Sequence, residues 1–135
     1  MKILVICTGN SCRSQMMHGW LKHFGKQSLE VYSAGVQRHG LNLDAVYYMN
    51  EVEIDISSHQ SNLIEEYLHI AFDLILTVCD HANETCPTFP SNTKQLHHNF
   101  EDPSKVTNDK ELAFRKVRDE IRDFAEQLVV NLTIK

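Results

Sequence analysis

The stretch Lys2-Ile3-Leu4-Val5-Ile6-Cys7-Thr8-Gly9-Asn10-Ser11-Cys12-Arg13-Ser14 decides the fold. Lys2 to Ile6 is a short apolar run of the kind that forms a buried strand. Cys7 to Ser11 reads as a turn. From Ser14 to Phe24 a helical spacing sets in, with Met17, Trp20, Leu21 and Phe24 on one face and Gly25 as the stop. A strand that passes through a tight turn into a helix is half of a βαβ unit, and the rest of the chain continues the pattern. Val31 to Ala34 is a second strand ended by Gly35, Asp44 to Val52 a helix, Ser57 to Ser61 a loop and Leu63 to His69 a short helix. Asp73 to Val78 is the clearest central strand and Thr93 to Leu96 a further short one. Asp109 to Val130 is the strongest helix, because Phe114, Val117, Ile121, Phe124 and Leu128 repeat at 3-4-3-4 spacing. This order predicts a three-layer αβα domain over residues 1–135, with about four parallel strands and helices on both faces. Ligands of open parallel sheets bind at the carboxyl ends of the strands. Cys7 follows the first strand and Cys79 the central one, so both cysteines are expected on one edge of the sheet.

The bulk numbers narrow the class. A chain of 135 residues with 42% hydrophobic and 23% charged residues suits one ordinary globular core. No run approaches the roughly 18 apolar residues that span a membrane, and the N-terminus has neither the length nor the cleavage site of a secretion signal. A cytoplasmic protein without a membrane partner is expected, and nothing in the sequence calls for more than a monomer. The formal net charge of −5, with no basic stripe, argues against nucleic acid as a partner. An anionic substrate would therefore need a local device to attract it. The four cysteines, at 7, 12, 79 and 86, would form structural bridges in a secreted chain. In a cytoplasmic one they are catalytic, redox-active or metal-binding.

The segment Cys7-Thr8-Gly9-Asn10-Ser11-Cys12-Arg13-Ser14 contains such a device. Five residues between a cysteine and an arginine can curl so that their backbone N–H groups point inward, forming a nest for a tetrahedral oxyanion. Gly9 would supply positive φ. Arg13 would close the loop with a bidentate fork, and the helix starting near Ser14 would add its positive end. The same donors would depress the ionisation of Cys7 and make it nucleophilic. The Ser14 hydroxyl is expected to donate to its sulfur. Cys12 is open between a structural residue and a trap for oxidised Cys7.

The second cysteine pair lies in Cys79-Asp80-His81-Ala82-Asn83-Glu84-Thr85-Cys86-Pro87. On an intact helix the two sulfur-bearing residues would sit about 10 Å apart along the axis, whereas a disulfide needs Cα atoms at roughly 5.5 Å. A bridge between them requires the segment to unwind or loop. Asp80, Asn83 and Pro87 make that helix a marginal one. Buried, unreactive cysteines or a zinc site with His81 are the competing readings, although the spacing is not that of a zinc knuckle. Glu101-Asp102-Pro103 is turn-like, and its aspartate is either a capping residue or a proton donor. The eight histidines show no metal spacing with carboxylates and read as surface or partly buried residues.

CTGNSCRSQ (7–15) resembles the oxyanion loop of the low-molecular-weight protein tyrosine phosphatases. It is more closely similar to that of the thioredoxin-coupled arsenate reductases built on the same fold. The resemblance continues in VYSAG (31–35), EVEIDISSH (51–59), LTVCDHANETCP (76–87), NFEDPSK (99–105) and FRKVRDEI (114–121), nearly the whole chain. It implies arsenate as substrate, bound by Thr8, Gly9, Asn10, Ser11, Cys12, Arg13 and Ser14. It implies Cys7 as nucleophile and Asp102 as the acid that protonates the departing oxygen. It further implies a relay in which Cys79 attacks Cys7, Cys86 attacks Cys79, and thioredoxin reduces the 79–86 disulfide, with no bound cofactor. The phosphatases carry aromatic residues just after Asp-Pro to clamp a phosphotyrosine ring, whereas this chain has Ser104 and Lys105, which favours an inorganic oxyanion. Hydrolysis by a phosphatase, an oxyanion-binding regulatory module, and regeneration by glutathione and glutaredoxin are the alternatives. Some relatives of this type hold a potassium ion near the loop. Asn10 and Ser33 match its ligands, but His18, Gln60 and Asn62 replace a glutamate, a threonine and an aspartate.

Overall fold

The computed structural model describes residues 1–87, 89, 90 and 93–133. Its centre is a four-stranded parallel sheet in the order β2-β1-β3-β4, with β1 at Lys2–Cys7, β2 at Glu30–Gly35, β3 at Leu74–Thr77 and β4 at Lys94–His97. Helices cover it: α1 (Arg13–Gly25), α2 (Leu43–Asn50), α3 (Asp80–Thr85) and α4 (Lys110–Thr133). The expected αβα architecture is present. The helix expected over Leu63–His69 is a single 3₁₀ turn at Ile64–Tyr67.

Position in the sheet explains the strand sequences. Ile3, Leu4, Val5 and Ile6 of β1 are all buried, as are all four residues of β3, because both strands lie between neighbours and are covered on both faces. At the edge, β4 carries Lys94, Gln95, Leu96 and His97, all exposed, and charge and polarity there discourage further strand pairing. Of the α4 stripe, Phe114, Val117, Ile121 and Leu128 enter the core. Ala125 takes the position next to Phe124, whose ring packs instead on His98 and Phe100. At the end of α2, buried Arg118 donates to the Tyr48 carbonyl (3.0 Å) and Glu51 (2.8 Å), and Arg115 also pairs with Glu51, fastening α2 to α4.

Register places the chemistry. Cys7 is aligned with Gly35, and Ile6 with Thr77, which is aligned with His97. Cys7, Gly35, Cys79 and His97 therefore gather at the carboxyl edge.

Candidate active site

A pocket of about 170 Å³ opens at that edge, lined by Cys7, Thr8, Gly9, Ser11, Cys12 and Arg13 of the loop, by His39, and by Asp102, Ser104 and Lys105. The loop carbonyls all find partners outside it. Thr8 O accepts from Gln37 N (2.9 Å), Gly9 O from His39 N (3.0 Å), Asn10 O from Gln15 Nε2 (3.0 Å) and Ser61 Oγ (2.7 Å), and Ser11 O from Asn42 N (3.0 Å). In a trans peptide the N–H points opposite the oxygen. Four outward carbonyls therefore send the amides of residues 9–12 toward the loop centre, where an anion can accept them. The α1 helix starts at Arg13 with no side-chain cap, which leaves its first amides available as well.

Arg13 is clamped beside this nest. Its Nη1 donates to Phe100 O (2.9 Å) and its Nη2 lies 3.6 Å from Asp102 Oδ2. Its Nε is buried without a hydrogen-bond partner among the described residues. An unpaired buried donor is costly, and a bound oxyanion would satisfy it. Asp102 is both a capping residue and a pocket residue. Its Oδ1 accepts from Ser104 N (3.0 Å) and Ser104 Oγ (2.6 Å), while its other oxygen faces Arg13. Ser104 and Lys105 line the pocket where the phosphatase pattern has aromatic side chains.

Two expectations for the loop change in detail. The positive φ falls on Asn10 (48°), not on Gly9. Gly9 matters for a different reason: the exposed His39 ring lies against it, and a Cβ there would displace that ring. The Ser14 hydroxyl donates to Asn10 Oδ1 (2.7 Å) rather than to Cys7, and it is the Ser14 backbone that supports the Cys7 sulfur. Asn10 is fully buried and bonds to Ser33 O (3.1 Å), so its side chain props the loop from behind.

Cys79 is buried directly behind this pocket, against the loop. Its Sγ lies 3.2 Å from Thr8 Oγ1 and within hydrogen-bonding reach of the Cys7 sulfur. The two thiols share their protons unequally. Cys79 is brought down to about 5, first by the hydrogen bond from Cys7, then by Thr8, the Ala82 amide and Arg13, against the cost of burial. Cys7 is pushed up, first by that same bond to Cys79 and then by burial. The two thiols therefore titrate as one coupled pair, each sulfur competing for the donors that also serve the other. Cys12 is buried at the start of α1, and burial raises its thiol. Cys86 is half-buried at the far end of α3 and is likewise raised by burial. The segment between the pair is a six-residue helix, the marginal element the sequence suggested.

His39 was missed as a pocket residue by sequence reasoning. The available signal was its place after the second strand, which ends on the same edge of the sheet. The potassium positions do not fit a cation. His18 Nδ1 bonds to Ser33 Oγ (2.8 Å), and burial together with neighbouring His59 and Lys22 lowers its ionisation to about 3, leaving a neutral ring. Gln60 O is taken by N–H donors from Asn10 (3.5 Å), Gln15 (3.0 Å) and Asn62 (3.2 Å).

Comparison with known proteins gives a consistent picture. An arsenate reductase of Halalkalibacterium halodurans is 46% identical over 131 residues, covering 92% of this chain and 94% of that protein. Arsenate reductase 2 of Staphylococcus saprophyticus is 44% identical over 129 residues, covering 96% of each chain. Among solved structures, an arsenate reductase in the phosphate binding state superposes with a TM-score of 0.80 at 29% identity, covering 98% of both chains. A low molecular weight protein tyrosine phosphatase from T. tengcongensis superposes with a TM-score of 0.81 at 27% identity, covering 97% of this chain and 99% of that one. The family model described as low molecular weight phosphotyrosine protein phosphatase matches residues 2–135. The chain belongs to the low molecular weight phosphotyrosine protein phosphatase family.

Proposed function

We propose that the protein reduces arsenate to arsenite through Cys7 and a thiol relay over Cys79 and Cys86. The observation that carries this reading is the buried Cys79 sulfur beside Cys7, 3.2 Å from Thr8 Oγ1 of the oxyanion loop. Hydrolysis of a phosphomonoester needs one nucleophilic cysteine, whereas reduction needs a second sulfur to take over the first. The arsenate reductase names of relatives at 44% and 46% identity support the same reading.

Arsenate settles among the amides of residues 9–12 and Arg13. Cys7 attacks arsenic, its proton passing along the hydrogen bond to Cys79, and the departing oxygen leaves as water with a proton from Asp102. Cys79 gives up its proton again, helped by Thr8, the Ala82 amide and Arg13. Its thiolate attacks the Cys7 sulfur, the S–As bond breaks, and its electron pair stays on arsenic, which leaves as arsenite. The resulting Cys7–Cys79 disulfide is exchanged by Cys86 into a 79–86 disulfide. An external dithiol, thioredoxin in our reading, returns that bridge to two thiols. No bound cofactor enters, because every electron comes from sulfur. Weak hydrolysis of aryl phosphates accompanies this activity, since the pocket cannot sharply separate two isosteric tetrahedral anions.

Cys79→Ser tests the proposal. Arsenate reduction should vanish while hydrolysis of an aryl phosphate persists. Equal arsenate reduction by the variant and the parent would remove Cys79, and with it the relay, from the reaction. Thioredoxin and glutaredoxin, supplied separately in the turnover assay, identify the reductant.

A further inference from the structure

Helix α3 cannot hold itself. Six residues fall well short of the roughly 12–15 at which an isolated helix becomes even marginal, and of those six only Ala82 is buried. Its anchorage comes from outside: the Thr77 hydroxyl reaches Asn83 Oδ1 (3.4 Å), and the shorter ties converge on the residue that follows Cys79. The Asp80 N–H donates to Asn99 Oδ1 (3.0 Å). The Asp80 carboxylate pairs with His97 Nε2 (2.7 Å), and His97 Nδ1 lies 2.8 Å from Thr77 Oγ1. A carboxylate partner requires a proton on Nε2, so in the neutral ring Nδ1 accepts the Thr77 hydroxyl. A continuous chain thus runs from buried Thr77 on β3, through His97 on β4, to the first residue of α3. Asn99, on the exit from β4, grips the same residue by its backbone.

We propose that Thr77, His97, Asp80 and Asn99 form a latch that keeps α3 wound in the dithiol state and so sets how readily Cys86 reaches Cys79. They are positioning residues, since none of them meets the substrate. The inference rests on the relay reading of the previous section. In the step concerned, the Cys86 thiolate attacks Sγ of Cys79 in the 7–79 disulfide. The 79–86 bond forms, the 7–79 bond breaks, and Cys7 leaves as a thiolate, with no electrons exchanged with the outside. Seven positions along a helix separate the partners by about 10 Å, so the bridge forms only once α3 has given up its helical path. Contacts that exist in the wound form and are strained or lost in the unwound one favour the dithiol. Loosening them favours the disulfide.

The test uses the full chain carrying Asp80→Ala or Asn99→Ala. Each is equilibrated in defined ratios of reduced and oxidised dithiothreitol, with the 79–86 bridge quantified by mass mapping. The equilibrium should move toward the disulfide by about threefold to tenfold, the loss of one or two hydrogen bonds; a tenfold change is about 30 mV for this two-electron couple. Conversion of the 7–79 into the 79–86 bridge after one arsenate turnover should quicken by a similar factor. Asp80→Asn, which keeps an oxygen for His97 to donate to, should restore most of the parent behaviour. Aryl phosphate hydrolysis, which needs the oxyanion loop and not the relay, should stay within about twofold and certifies the fold. Parent-like equilibria and exchange rates in both alanine variants would overturn the latch alone. Failure of the parent protein itself to form a 79–86 bridge after turnover would overturn the relay reading and the latch with it.

Discussion

The oxyanion loop and the relay segment lie side by side on one edge of the sheet, and they are built to opposite specifications. In the loop, Asn10, Ser14 and Gln15 are completely buried, and the carbonyls of residues 8–11 are each fixed by a partner from elsewhere in the chain. In α3, five of six residues are exposed, and the short anchors gather at its first residue. A pocket that stabilises a developing charge works best when its donors do not have to reorganise. A sulfur that must leave one partner for another needs the reverse, a segment of low local stability. Cys79 sits at the seam, with its sulfur held by the rigid loop through Thr8 and its backbone opening the short helix.

That contrast can be broken at either side. The largest effect is expected from Cys7→Ser, which removes the nucleophile both chemistries share. Arsenate reduction and aryl phosphate hydrolysis should each fall by at least about a thousandfold, as measured by arsenite release and by phenolate release. Cys86→Ser strikes only the side of the short helix. The first equivalent of arsenite should appear at the parent rate and turnover should then stop, with a 7–79 disulfide found by mass mapping. A continued steady state in that variant would remove Cys86 from the cycle. Gly35→Ala strikes only the rigid side. A Cβ there would lie 2.5 Å from Gln37 O, 2.7 Å from Asn10 N and 2.8 Å from Thr8 O, all backbone atoms that cannot swing aside. Thermal unfolding should show a loss of about 1–3 kcal/mol, with both activities lowered together.

The smallest effect probes the seam. Thr8→Val removes a hydroxyl that stabilises the Cys79 thiolate, so the ionisation now near 5 should rise. Because the thiolate is the form present above that value, the acid limb of the reduction profile should move to higher pH. At mildly acidic pH the rate should fall roughly threefold, and it should recover as the pH rises. Ultraviolet titration of the thiolate checks the same displacement directly.

Much of this arrangement was legible in the residues. Alternation of apolar runs and helical stripes gives the βαβ order, since period and burial are local properties of the chain. The spacing from Cys7 to Arg13 marks the loop whose amides turn inward, and the weak helix formers between Cys79 and Cys86 mark the segment that would have to yield in the proposed relay. The role of Gly9 was misread because positive φ is the usual reason for a loop glycine. Here the left-handed turn falls on Asn10, whose side chain is paid back by bonds to Ser33 and Ser14, and the glycine makes room for His39. Nothing local to residue 39 announces that contact.

Sequence by itself determined the strand and helix order, the tight loop after the first strand and the two sulfurs brought to one sheet edge, because each follows from short-range geometry and from the rule that parallel strands end together. Only the tertiary structure decided that the two sulfurs share one proton and one set of donors. The ionisation of a buried thiol depends on the donors around it, and those donors come from Thr8, Arg13, the α3 amides and the other cysteine, which the fold brings together from positions some seventy residues apart.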